Sequence, residues 1–345
     1  MKKKLFSMMG CALLATVALC TAGGMNTAFA AETVFVESEF APLKRVVLTQ
    51  TEVVLGKNIL KYVDANAKVP EVTDEYMKAW ALERENLKEV LEKYGVEVQR
   101  PRLLTDYEKM LGNVENGYTE AAGVCNFFAR DPFITIGNHI IECSLFSLYR
   151  RLEVLPIRPI LQKEAEKSGC YYVSIPQADI SEGNDSTVGP FLEGGDVLVY
   201  KKTVFVGNSG RATNHAGVVW LRNYLKHFGY NVVEVKMDKD ILHLDCILSF
   251  PRDGLMIVCE EAMPEGLPTE LKSWDKITVS KDEAQALATN GLPIDDHTYI
   301  TDIAFKDTVG KELEKRGIKV EYIDYKLSRF AGGAFRCSTQ PLLRK

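Results

Sequence analysis

A recurrence constrains this 345-residue chain more than any other feature. A short apolar strand, a tight turn, a second strand, a helix and a further strand follow one another at spacings of tens of residues. Residues 133–136 and 139–141 flank the turn-forming pair Gly137-Asn138, and 171–175 reads as the next strand. Residues 197–200 turn back through Lys201-Lys202 into 203–207. A helix over 215–228 follows, with Gly229 as its stop, and then a strand over 232–235. No literal repeat of sequence accompanies the pattern. Strands alternating with helices argue for an α/β fold of several similar units, and against a sandwich or a helical bundle.

The remaining elements fit this scheme. Residues 43–51 read as a first buried strand centred on Val46, Val47 and Leu48. The clearest helix covers 73–94. Thr73 can cap it, Asp74 and Glu75 suit its first turn, and Tyr76, Trp80, Leu87, Val90 and Leu91 recur at helical spacing. Residues 147–166 read as helical with a break near Pro156 and Pro159. Short helices are expected over 281–288 and 309–316, and 318–323 is the last clear strand. Beyond it, Gly332-Gly333 and Pro341 mark a loop that carries Cys337. Trimming the last nine residues is therefore expected to remove the chemistry and leave most of the fold. No Pro/Ser-rich linker divides residues 31–345, which read as one domain.

Residues 1–30 read as a secretory signal. Lys2, Lys3 and Lys4 precede the mostly apolar stretch 5–19, and Ala28-Phe29-Ala30 places small residues where a signal peptidase reads, so cleavage is expected before Ala31. Gly10, Thr16 and Thr21 interrupt the apolar run, which argues against a membrane anchor. Leu19 is bulky for a lipoprotein signal ending at Cys20. Losing the leader lowers the formal net charge from −5 to −8. An acidic chain is a poor nucleic-acid partner and suits a cationic small substrate. Six cysteines remain: Cys125, Cys143, Cys170, Cys246, Cys259 and Cys337. Most lie in apolar, strand-like runs, which favours buried free thiols over a disulfide framework. The histidines are scattered and no C-x-x-C occurs, so no structural zinc site is expected.

Four polar clusters interrupt the apolar runs: Arg130-Asp131, Glu193-Gly-Gly-Asp196, His243-Leu-Asp245 and Arg336-Cys337. His243 and Asp245 are two apart and would share one side of a strand. A thiol, an imidazole and several carboxylates permit nucleophilic attack on an acyl or amidine carbon. A papain-like protease would use the same residue types.

Taken in order, the clusters resemble the guanidino-group-modifying superfamily of arginine deiminases, dimethylarginine hydrolases, agmatine deiminases and amidinotransferases. Arginine deiminases are the nearest resemblance. Residues 128–133 are similar to their F-x-R-D-P-F, 192–196 to L-E-G-G-D, 207–213 to G-x-S-x-R-T, and His243-Leu-Asp245 to H-L-D. Arg336-Cys337-x-Thr339-x-Pro341-Leu342 is similar to R-C-M-S-M-P-L. The resemblance implies a five-fold pseudosymmetric α/β propeller, without a large helical insertion, and a central site. It implies Cys337 as nucleophile and His243 as general acid/base. Asp131 and Asp245 would grip the guanidinium, and Glu193 would support the site. Substrate contacts fall to Asn126, Phe128 and Asp196, with Arg211 and Arg150 (or its neighbour Arg151) holding a substrate carboxylate. The implied reaction is L-arginine to citrulline through a covalent Cys intermediate, with no metal or organic cofactor, in a chain that can form a homodimer. Phe335 and the 137–142 run look more like the amidinotransferases, which leaves transfer to an acceptor amine open, and the resemblance leaves a dimethylarginine- or agmatine-type hydrolase open as well.

Overall fold

The computed structural model describes residues 33–53, 73–111, 126, 128–147, 150–167, 169–179, 181 and 188–345. Among them, fifteen strands form five three-stranded sheets. All five share one hydrogen-bonding pattern: a central strand pairs antiparallel with one neighbour and parallel with the other. β3 (Phe133–Ile136), β4 (His139–Glu142) and β5 (Tyr171–Ser174) form one sheet. β6 (Val197–Tyr200), β7 (Thr203–Asn208) and β8 (Asn231–Lys236) form the next. β9 (Leu248–Arg252), β10 (Leu255–Val258) and β11 (Asp275–Thr278) follow, then β12 (Leu292–Asp295), β13 (Thr298–Asp302) and β14 (Lys319–Ile323).

The pattern has a topological cause. An antiparallel pair closes through a short turn, whereas a parallel pair needs a long crossover. The helices His215–Leu225 and Lys311–Lys315 lie on two such crossovers, before β8 and β14. The remaining sheet joins the two ends of the chain. β15 (Thr339–Arg344) pairs antiparallel with β1 (Leu43–Leu48), which pairs parallel with β2 (Glu97–Gln99).

The helix Asp74–Lys93 matches its sequence reading. The Thr73 side chain accepts from the Tyr76 amide at 3.1 Å, and Trp80, Leu87 and Leu91 are buried. Glu83 is buried as well, because its carboxylate accepts from the Leu327 and Ser328 amides at the start of helix Lys326–Phe330. Over 147–166 the described helix is confined to Arg158–Ala165, with Pro159 in its first turn, where a missing N–H costs nothing.

Four strands were not legible: β11, β12, β13 and β15. Two of them contain a proline. Pro293 lies in β12 and Pro341 in β15, each an edge strand of its sheet, where proline is tolerated. The tail is therefore not a loop around Cys337 with a turn at Pro341. It ends in a strand buried along its length, with Pro341 opposite Val46. Removing the last nine residues would strip β1 of its antiparallel partner, so the expectation that most of the fold survives is corrected.

Residues 34–40 stitch sheets together. Phe35 bridges to Leu343, Val36 to Gly137 and Ser38 to Tyr200, reaching three different sheets. Of the cysteines, Cys143, Cys246, Cys259 and Cys337 are buried free thiols and Cys170 is half-buried. Cys125 and the leader lie outside the described residues. Among the described residues no helix is long and apolar enough to cross a membrane.

Candidate active site

The polar clusters occupy one recurring position. Asp131 stands just before β3, Glu193 to Asp196 just before β6, His243 and Asp245 just before β9, and Cys337 just before β15. Each precedes the strand that pairs antiparallel with its sheet's central strand. The fifth sheet has its own occupant, Asn290, just before β12. Asn290 is fully buried and organises the nucleophile loop. Its Oδ1 accepts from the Ala334 and Cys337 amides at 3.1 and 3.2 Å, and its carbonyl accepts from those of Phe335 and Arg336. In sequence, Thr289-Asn290-Gly291 looks like an ordinary turn. Only its place before a strand, shared with the other four clusters, marks it.

Two glycines allow the segments to meet. A Cβ on Gly195 would lie 2.6 Å from His243 Nδ1 and 2.9 Å from Asp131 Oδ1. A Cβ on Gly333 would lie 2.6 Å from the Phe128 ring and 2.8 Å from Cys337 Cβ. Either side chain would push the reacting groups apart.

His243 is held by carboxylates. Its Nε2 is 2.8 Å from Glu193 Oε2, and its Nδ1 is 3.8 Å from Asp131 Oδ1. Burial alone would lower its pKa, but Asp131, Glu193 and Asp196 outweigh burial and raise it to about 10. The ring is an imidazolium at neutral pH. Burial also works to raise the Asp131 pKa; the His243 and Arg150 charges reverse it and hold Asp131 ionised. Asp196 behaves oppositely. Its Oδ1 accepts from the Leu244 amide at 2.9 Å, and burial lifts its pKa to about 7.

Cys337 lies beside the second carboxylate, with Sγ 3.7 Å from Asp245 Oδ2. Burial, then the negative charge of Asp245, drives its pKa well above that of an ordinary thiol. The thiol is neutral in this state and donates to Asp245. Cys246 Sγ is 3.7 Å from the other oxygen, Oδ1. Arg336 Nη1 donates to Asp245 Oδ2 at 3.0 Å, and the rest of its guanidinium meets Glu39.

Arg150 is not placed as a clamp for a substrate carboxylate. Its guanidinium is buried among the site's own carboxylates, at 2.8 Å from Asp131, 2.9 Å from Glu153 and 3.3 Å from Glu193. Arg151 instead donates to the Leu145 and Phe146 carbonyls. Arg211 is exposed, two residues before Thr213, whose hydroxyl oxygen accepts from the Glu193 amide at 3.1 Å. Phe128 is buried, with its ring against Gly333. Asn126 Nδ2 donates to the Glu52 carbonyl, and its own carbonyl accepts from Thr49 Oγ1. Both line a narrow cleft of about 20 Å³ that reaches Glu153. Glu39, Glu153, Asn290 and Arg336 are the participants that carried no assigned role in sequence.

Asp131, Glu193 and His243 each offer one ligand atom, all within 4.8 Å of one another, a spacing that could hold a metal ion. The chemistry of the set does not suit one. Both carboxylates already pair with Arg150, and the histidine carries a proton where a metal needs a lone pair.

Residues 124–344 match the family model described as N,N dimethylarginine dimethylhydrolase, eukaryotic. The chain belongs to this family. With it, the chain belongs to the guanidino-group-modifying superfamily, whose members act on guanidino C–N bonds and bind small guanidino substrates. A curated relative, the uncharacterized protein YkgA of Bacillus subtilis, is 27% identical over 313 residues, covering 89% of this chain and 94% of that protein. Among solved structures, the inosamine-phosphate amidinotransferase of Streptomyces griseus superposes with a TM-score of 0.74 at 22% identity, over 91% of this chain and 98% of that one. A DDAH from Pseudomonas aeruginosa, complexed with citrulline, gives 0.62 at 15% identity, over 87% and 99%. These likenesses establish the α/β fold of the superfamily, with its strand-rich sheets.

Proposed function

We propose that the chain is a thiol-dependent hydrolase of a guanidino compound, with L-arginine to L-citrulline and ammonia as the leading reaction. One observation carries the reading: a proton-loaded imidazole and a buried thiol each stand beside a carboxylate, His243 with Asp131 and Cys337 with Asp245. A planar cation bound by both carboxylates would present its central carbon to Sγ. The entering charge would favour the thiolate and release the thiol proton to solvent. Sulfur then attacks and a C–S bond forms. The His243 imidazolium protonates the leaving nitrogen, and the C–N bond breaks. Neutral His243 takes a proton from water, which attacks the same carbon. The thiolate leaves, and a ureido product remains.

Arg150 is committed to carboxylates, so recognition of a free carboxylate falls to Arg211. In this reading the five sheets close into a five-bladed propeller whose axis passes between the five pre-strand segments. The leader would carry the chain out of the cytoplasm, and N-terminal sequencing of exported protein should start at Ala31.

Transfer of the amidino group to an amine is the second reading, favoured by the amidinotransferase likeness over nearly the whole chain. A panel of L-arginine, methylated arginines, agmatine and peptidyl arginine, each with and without glycine, separates the two. Citrulline and ammonia without glycine support hydrolysis. Turnover only with glycine supports transfer. No consumption of any of them, with Cys337 reduced, would sink both.

A further inference from the structure

Glu39 and Arg336 take no part in the steps above, yet both are buried against the site. The Arg336 guanidinium divides its donors. Nε and Nη2 meet the two oxygens of Glu39 at 3.1 Å each, and Nη2 also meets the Val197 carbonyl at 2.6 Å. Nη1 alone reaches Asp245 Oδ2, at 3.0 Å, and that oxygen is 3.7 Å from Cys337 Sγ. Glu39 is itself pinned: its Oε1 accepts from the Val199 amide at 3.0 Å, and its own amide donates to the Val199 carbonyl.

We propose that Glu39 is a positioning residue: it holds the two-donor edge of Arg336 and so leaves Asp245 oriented and charged for a cationic substrate. The physical reason is the sharing of one guanidinium between two carboxylates. The trio of Glu39, Arg336 and Asp245 carries one net negative charge, and Glu39 also faces the buried guanidiniums of Arg130 and Arg344, so it draws positive charge away from Asp245. Without it, Arg336 has Asp245 as its remaining carboxylate, turns its fork onto it, and neutralises the group that should receive the substrate. Glu39 thus acts through Arg336 on Asp245. The role rests on the reading of Cys337 and Asp245 as the guanidinium site.

The test uses two alkylating reagents of nearly equal shape, cationic 2-chloroacetamidine and neutral 2-chloroacetamide, with labelling of Cys337 followed by mass spectrometry. The wild type should react faster with the cation. Glu39→Gln should slow the cationic reagent by roughly tenfold or more, as loss of one nearby buried charge implies, and leave the neutral reagent within about twofold. A loosened fold would change both rates alike. Glu39→Asp restores the charge and should keep the preference for the cation within about threefold of the wild type. It also carries the test if Glu39→Gln does not fold, and loss of the preference in folded Glu39→Asp would contradict the proposal. A wild type that prefers the cation and a Glu39→Gln variant that prefers it equally would overturn the role of Glu39 alone. A wild type with no preference at Cys337 would remove the cation site, and the role of Glu39 with it.

Discussion

On the imidazole side of the site, Arg150 pairs with Asp131, Glu153 and Glu193, and His243 sits at their edge. On the thiol side, Arg336 pairs with Glu39 and Asp245, and Cys337 sits at theirs. Both sides bury an arginine among carboxylates, yet they differ in charge balance at the reacting group. Carboxylates give His243 a proton it would lose if merely buried, and its pKa rises to about 10. Burial, and then the same kind of neighbour, denies Cys337 its negative charge. One arrangement therefore loads the proton donor and keeps the nucleophile unreactive. On the proposed reading, a cation arriving between the two sides would relieve the second restraint, and reactivity would be tied to the presence of substrate.

The largest effects should come from the two reacting groups. Cys337→Ser should cut turnover by at least about a thousandfold and hardly move the melting temperature, because the side chains nearly match in volume. His243→Gln should cost about a hundred- to ten-thousandfold. It should slow release of the first amine as well as water attack, which a burst measurement separates. Near-normal turnover in either variant would detach the chemistry from that side.

Next come the carboxylates. Asp245→Asn leaves Arg336 with Glu39 as its remaining carboxylate, while Asp131→Asn leaves Arg150 with Glu153 and Glu193. The thiol side has less in reserve. Asp245→Asn should therefore destabilise more than Asp131→Asn, by about 1–3 kcal/mol in denaturant titrations. Equal losses would show that the two sides are matched.

A smaller signal is expected in the dependence of stability on pH. His243 binds its proton more tightly folded than unfolded. Its contribution is complete below about 6.5 and is lost as pH rises through about 10. Wild type should thus lose stability over that window faster than His243→Gln, whereas parallel curves would mean that the ring is not held as an imidazolium. Asp196→Asn should act the other way. Burial raises the Asp196 pKa from 3.8 to about 7, so the wild type loses that group's contribution between those values, and the isosteric amide should match it near pH 4 and be the more stable of the two by neutrality.

How much could be read in advance follows the same division. The imidazole side is local enough to leave a trace: Arg150 and Glu153 are three residues apart, Asp131 sits 19 residues before Arg150, and each polar cluster interrupts an apolar run. What was misjudged there was the partner of Arg150, since nothing in an Arg-Arg pair says which ion it will meet. The thiol side joins Glu39 to Arg336 across 297 residues. That contact exists because β15 returns to pair with β1, and Pro341 hid β15. Hairpins such as 133–142 were legible because turn and strands are contiguous. Asn290 was not, because its importance comes from a position equivalent to Asp131 and Cys337 rather than from its own chemistry.

The most direct test of the central claim is the mass of Cys337 during turnover. The protein is mixed with L-arginine, quenched in acid within one catalytic cycle, digested and mapped. Attack with loss of ammonia predicts a Cys337 peptide heavier by arginine less ammonia. Attack with loss of ornithine leaves only the amidino group on the same sulfur and would mark a transferase. Product formation with Cys337 unmodified at every quench time, or with the adduct on another residue, would contradict the account.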